Sequence, residues 1–129
     1  MNTFINTFKA LSDDTRLRIV WVLARASFPL CVCEIIDSLD ESQCNISRHL
    51  TVLKASGLVH EEKDGRWVFY SLLPPTSKFQ ELIHQAVSAL PKDLLSKDSE
   101  RLQKRLSLRK KGRCVVGMDS KEWRKIAHP

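Results

Sequence analysis

Cysteines at positions 31, 33, 44 and 114 are the residues of this 129-residue chain best equipped for chemistry. Cys31 and Cys33 flank a single valine, just after Phe28-Pro29-Leu30, at the expected start of a helix. There the helix dipole lowers a thiol's pKa and favours thiolate. Thiolates select soft ions over Mg²⁺ or Ca²⁺. In a regular helix, residues two apart point roughly 200° apart. The pair can therefore grip one ion only if the helix start is irregular, as Pro29 encourages. A three-sulfur site needs one more donor. Cys44 falls beyond the far end of the same helix, over roughly 10 Å from Cys31 at about 1.5 Å per residue. Cys114 lies in a basic C-terminal segment long enough to reach back, on its own or a partner protomer; the remaining option is an exogenous thiol or water. Read without a ligand, Cys31 and Cys33 are two small buried hydrophobes.

The elements that must position these thiols can be read from periodicity. In the stretch from Leu30 to Ser56, the first helix buries Ile35, Ile36 and Leu39, and a second begins at Ser42-Gln43. The second sets Ile46, Leu50 and Leu53 on one stripe at i, i+4, i+7. Opposite lie Cys44, Ser47, Arg48 and Thr51, a short polar face suited to the DNA major groove. Upstream, Phe4, Ile5, Phe8 and Leu11 share one face of a helix over residues 2–11. Ser12 is the expected cap of a helix that buries Leu17, Ile19, Val20 and Leu23 and exposes Arg16 and Arg25. Downstream of Gly57, two β-type runs, Leu58 to Glu62 and Trp67 to Leu72, flank Lys63-Asp64-Gly65-Arg66, a hairpin signal whose tip carries two cations. A helix over about Ser77 to Leu90 aligns Phe79, Leu82, Ile83, Ala86, Val87 and Leu90.

These elements predict a mainly α (α+β) winged helix-turn-helix of five core helices and a two-stranded hairpin wing. Phe4, Ile5 and Phe8, with the apolar face of the 77–90 helix, exceed what so small a domain leaves wet, which predicts a homodimer through both helices. Residues 1–90 form the expected DNA-binding and dimerisation domain, and 91–129 a basic tail, partly helical or flexible. That tail holds 12 Lys and Arg against 5 Asp and Glu, whereas residues 1–90 hold 9 and 10, so the net charge of +6 sits at the C-terminus. A pI near 9.4 favours a polyanionic partner.

No apolar run approaches a membrane span, and the N-terminus lacks a signal-peptide pattern, so a cytoplasmic location without membrane association is expected. Four cysteines there read as thiols or ligands rather than a disulfide framework. No paired general base, phosphate loop or nucleophile elbow accompanies them, so no enzymatic activity is expected.

Four motifs in order, FKALSDDTRLRIV from Phe8, CVCEI from Cys31, SQCNISRHLTVLKASGLV from Ser42 and DGRWVFYSL from Asp64, resemble the ArsR/SmtB family of metal-sensing repressors. The resemblance covers roughly residues 4–90, and its CVC looks like the arsenic- and cadmium/lead-sensing branches. It implies a homodimeric repressor of double-stranded operator DNA that lets go when As(III) or Sb(III) binds, with Cd(II), Pb(II), Zn(II) or thiol oxidation as alternative signals. Arsenite sensors of this family place a third cysteine three residues after the second; here that residue is Ile36. The N-terminal cysteines of the cadmium/lead sensors and the acidic-histidine set of the zinc sensors are also missing; only His84 stands on the corresponding helix. The resulting assignment is Cys31, Cys33 and Cys114 for the ion, and Gln43, Cys44, Asn45, Ser47, Arg48, Thr51, Lys63 and Arg66 for DNA. A winged helix that binds only protein is the alternative of another class.

Overall fold

The computed structural model describes residues 1–129. Helices α1 (Asn2–Leu11) and α2 (Asp14–Ala26) lead into a two-residue strand β1 (Leu30–Cys31), then α3 (Val32–Leu39) and α4 (Gln43–Ala55). Strands β2 (Val59–Asp64) and β3 (Trp67–Leu72) form the wing, followed by α5 (Lys78–Ser88), a 3₁₀ turn (Lys92–Leu95), α6 (Ser96–Leu106) and α7 (Lys121–Ala127). This is the expected winged helix-turn-helix. Two helices beyond the expected five come from the basic segment, and β1 makes the sheet three-stranded, ordered β1-β3-β2 and antiparallel throughout.

Local chemistry sets most of the boundaries. Asp13, rather than Ser12, caps α2, its carboxylate accepting from the Arg16 N–H at 3.1 Å. Ser12 instead closes α1, its hydroxyl donating to the Phe8 carbonyl. Two adjacent good caps compete here, and the longer reach of the carboxylate wins. Arg16, expected on the surface, is half-buried; its Nε donates to Ala10 O at 2.6 Å and its Nη1 meets His49 Nδ1 at 3.2 Å, fastening α1 to α4. The wing closes through Gly65-Arg66 between the paired Asp64 and Trp67. Gly65 has φ +60°, which the first central position of such a two-residue turn requires.

The main core gathers Ile19, Val20 and Trp21 of α2, Ile35 and Leu39 of α3, and Ile46, Leu50 and Leu53 of α4. Leu95 and Leu102, from the expected tail, belong to the same core. Residues 91–129 therefore contain packed helices, with α6 lying along α3. On α5 the apolar residues divide between two faces. Val87 is buried, and Ile83 and Leu90 pack beside it against the chain's own core. They are thereby removed from the face proposed for dimerisation, because a helix serving both a core and a partner must split its apolar stripe. Phe79 instead stacks edge-on with Phe4 and Phe8, at centroid distances of 4.9 and 5.5 Å. Phe4, Ile5, Phe8, Leu82 and Ala86 stay exposed, a contiguous patch suited to a second copy.

Truncating Leu102 to Ala is expected to cost about 2–5 kcal/mol in a urea melt, as for any fully buried leucine. An unchanged midpoint would show that α6 does not share the core.

Candidate metal centre and nucleic-acid interface

Cys31 ends β1 and is the N-cap of α3, with an extended backbone at φ −65°, ψ 146°. Cys33 is the second residue inside the helix. The chain thus turns from strand to helix between the two thiols, which removes the opposed geometry of a regular helix. Their sulfurs stand 2.9 Å apart. Cys114 arrives from the loop after α6, its Sγ 3.4 Å from that of Cys33. All three sulfurs lie within 4.8 Å of one another, and all three residues are buried. Val32 of α3 and Trp67 and Phe69 of β3 pack against the cluster, so the tip-side half of the wing adjoins it. Cys44 is exposed on α4 and takes no part.

A tetrahedral thiolate site with bonds of about 2.3 Å separates its sulfurs by roughly 3.8 Å. The two shortest spacings, 2.9 and 3.4 Å, fall just under that value, so the three sulfurs stand close enough for one thiophilic ion. Contact among the thiols also divides their acidity. Hydrogen bonds from Cys114 and Cys33 hold the Cys31 thiol far below its ordinary range. The Cys33 and Cys114 thiols are pushed up, chiefly by the hydrogen bonds they share within the cluster, with burial adding to both. The Cys33 S–H donates to the Cys31 sulfur, which favours the thiolate form at Cys31.

Two buried carboxylates of α3 fix the loop that delivers Cys114. Asp37 pairs with Arg105 of α6 at 2.7 Å and accepts the Asp119 N–H at 2.9 Å. Burial pushes the Asp37 carboxyl up, partly offset by these two partners. Arg105 Nη2 also donates to the carbonyls of Val116 (2.8 Å) and Gly117 (3.2 Å). Glu34 is gripped bidentately by Arg109, both distances 2.7 Å, and accepts the Cys31 N–H at 2.9 Å. Arg109 reaches Pro29 O as well. Each thiol is therefore anchored within a few bonds of an ion pair. None of Glu34, Asp37, Arg105 or Arg109 was marked by the sequence, since partners 68 to 75 residues apart leave no local pattern.

On α4, Cys44, Ser47, Arg48 and Thr51 are exposed on the face opposite the buried Ile46, Leu50 and Leu53, and Gln43 is exposed in the first turn. Asn45 is half-buried. Its amide donates to Glu41 at 3.1 Å, and its carbonyl accepts from Arg48 Nη2 at 2.9 Å, which orients the guanidinium along the helix. Lys63 and Arg66 are exposed at the wing tip, Arg66 lying 4.4 Å over the Trp67 ring.

Residues 13–61, spanning α2 to the start of the wing, match the model of the bacterial regulatory protein, arsR family. The chain is 39% identical over 95 residues to the arsenic resistance transcriptional regulator ArsR1 of Pseudomonas putida, covering 74% of this chain and 73% of that protein. The chain belongs to the arsR family. It is also 50% identical over 70 residues to the arsenical resistance operon repressor of Escherichia coli, a match spanning 54% of this chain and 59% of that one. Among solved structures, HlyU from Vibrio cholerae superposes with a TM-score of 0.57 at 32% identity, covering 66% of this chain and 91% of that one. As in other arsR-family regulators, α3 and α4 are the helix-turn-helix and β2–β3 the wing.

Two outcomes are expected. In an ultraviolet pH titration of Cys44→Ser protein, which retains only the three clustered thiols, one thiolate per chain forms well below the ordinary thiol range, and the other two form above it; three equivalent titrations near pH 9 would refute the shared charge. Arg105→Ala strands Asp37 as a buried carboxylate, at a cost of about 3–5 kcal/mol, and frees the Cys114 loop. Denaturant melts and faster alkylation of Cys114 read the two effects.

Proposed function

We propose that this arsR-family chain is a homodimeric repressor that releases operator DNA when As(III) or Sb(III) is captured by Cys31, Cys33 and Cys114. The observation that carries the reading is the meeting of three buried thiols from segments 81 residues apart. The arsenic-responsive names of two relatives point the same way. A pyramidal trivalent ion requires three sulfurs and no fourth ligand, which matches three buried thiols with Trp67 and Phe69 packed against them. Gln43, Cys44, Ser47, Arg48 and Thr51 would read the groove, Asn45 would hold Arg48 in place, and Lys63 and Arg66 would meet the backbone. Phe4, Ile5, Phe8, Phe79, Leu82 and Ala86 would join the two copies.

Two routes lead from the thiols to the DNA-reading face. Cys31 pairs with Phe69 across the β1–β3 ladder, so a shift at Cys31 is felt by the wing. Cys33 lies on α3, which packs against both α2 and α4. Drawing three sulfurs onto one ion would therefore reset the wing and the recognition helix together. A coupling free energy of about 1–3 kcal/mol corresponds to 5- to 150-fold weaker DNA binding.

A divalent soft ion such as Cd(II), Pb(II) or Zn(II) is the alternative inducer, and parallel operator-release titrations tell the two apart. Arsenious acid gives up three hydroxides as water. From a cluster of one thiolate and two thiols, its capture by three sulfurs would take up one proton. A divalent cation displaces two protons from the same cluster.

In an operator-binding titration with As(III), wild type is expected to dissociate, whereas Cys31→Ser and Cys33→Ser hold DNA at ion concentrations that release wild type. Cys114→Ser is expected to need at least tenfold more ion. Equal release by wild type and the Cys31→Ser/Cys33→Ser protein would remove the thiol mechanism. Parallel titrations with As(III) and Cd(II) rank the inducers: operator release at a lower free concentration of As(III) supports the trivalent reading, and the reverse order supports a divalent inducer.

A further inference from the structure

Beside the wing stands a second basic hairpin tip. Lys110 and Arg113 exchange both backbone hydrogen bonds at 3.0 Å, closing a two-residue turn through Lys111 (φ 54°) and Gly112 (φ 72°). Lys110, Lys111 and Arg113 are exposed, and none of them joins an ion pair. The turn is not a loose end. Arg109, locked on Glu34 and Pro29, also donates to Gly112 O at 3.3 Å, and the following residue, Cys114, is buried in the thiol cluster.

An open groove of about 1370 Å³ separates this turn from the wing tip, with Lys63 and Arg66 on one rim and Gly112 and Arg113 on the other. Glu62 and Asp64 also line the wing side, so the groove is not uniformly basic; its unpaired cations sit at the two tips. Two rigid hairpin tips bearing unpaired cations are suited to a polyanion that passes over both, and duplex DNA carries one charge per about 1.7 Å of axis.

We propose that Lys110, Lys111 and Arg113 form a second phosphate contact, parallel to the wing, that grips the duplex backbone flanking the bases read by α4. The inference rests on the DNA-binding reading above. It predicts affinity without sequence preference, because phosphate contacts position a protein and base edges specify its site.

The test is the salt dependence of binding to operator and random duplexes. Each phosphate contact contributes a slope of about −0.9 in log K against log salt. Lys110→Ala/Lys111→Ala is expected to flatten the slope by about 2 on both duplexes while leaving the preference for operator unchanged. Lys121→Ala/Lys125→Ala, on α7, removes the same charge away from the groove and is expected to leave the slope within about 0.5 of wild type. An unchanged slope in the first variant, or an equal change in both, would overturn the proposal. Circular dichroism melts confirm that each variant is folded. Wild type that binds neither duplex would instead refute the DNA-binding reading itself.

Discussion

Burying two carboxylates on one short helix is the constraint that organises this molecule. Glu34 and Asp37 both point into protein from α3 and are almost fully buried. Charges so placed are tolerable only when paired and hydrogen-bonded. The partners, Arg105 and Arg109, come from the end of α6 and the residues just after it. A third arginine, Arg18 of α2, holds Asp98 at the start of α6 through bonds of 2.8 and 2.9 Å and also reaches Leu39 O. Leu95 and Leu102 add apolar burial between these polar anchors. Such pairs contribute little net stability compared with apolar substitutes, but they fix register, since a one-turn slip of α6 would strand every charge. The docked segment is thereby held in a single position, and Cys114 with it.

That position makes sense of the thiols. Cys31 and Cys33 would be opposed on an ideal helix; the end of β1 makes them neighbours by leaving Cys31 extended. Its pairing with Phe69 keeps Cys31 extended, and the capping bond from its N–H to Glu34 sets where the helix begins. Because Arg109 neutralises that same Glu34, one carboxylate serves both the local turn and the long-range dock. Trp67 and Phe69 of β3 pack against the three buried thiols.

Much of this fold was legible in residue spacing. The Ile46, Leu50 and Leu53 stripe located α4, the Asp-Gly pair located the wing, and the cysteine spacing after Pro29 pointed to an irregular helix start. Boundaries decided by competing neighbours were less legible, as where Asp13 displaced Ser12 as a cap. So was the double duty of α5, whose periodicity shows an apolar stripe but not which part meets the core and which faces outward. Least legible was the basic segment. Its composition resembles a solvated tail, because lysines and arginines give no local sign of carboxylates some 70 residues earlier in the chain. Cys114 could be named as a candidate by eliminating Cys44, but its distance from the other thiols depends on contacts that no window of sequence contains.

The separate braces on the third donor carry a consequence for how such a chain can diversify. Groove-reading side chains and two of the sulfurs belong to the compact winged unit, whereas the last sulfur is contributed by an appended arm clamped on from outside. Under the function proposed above, substitutions within that arm would alter which element is recognised, or how tightly, without redrawing the surface that would select a promoter. Chemical selectivity and genomic address are, in this architecture, separately adjustable.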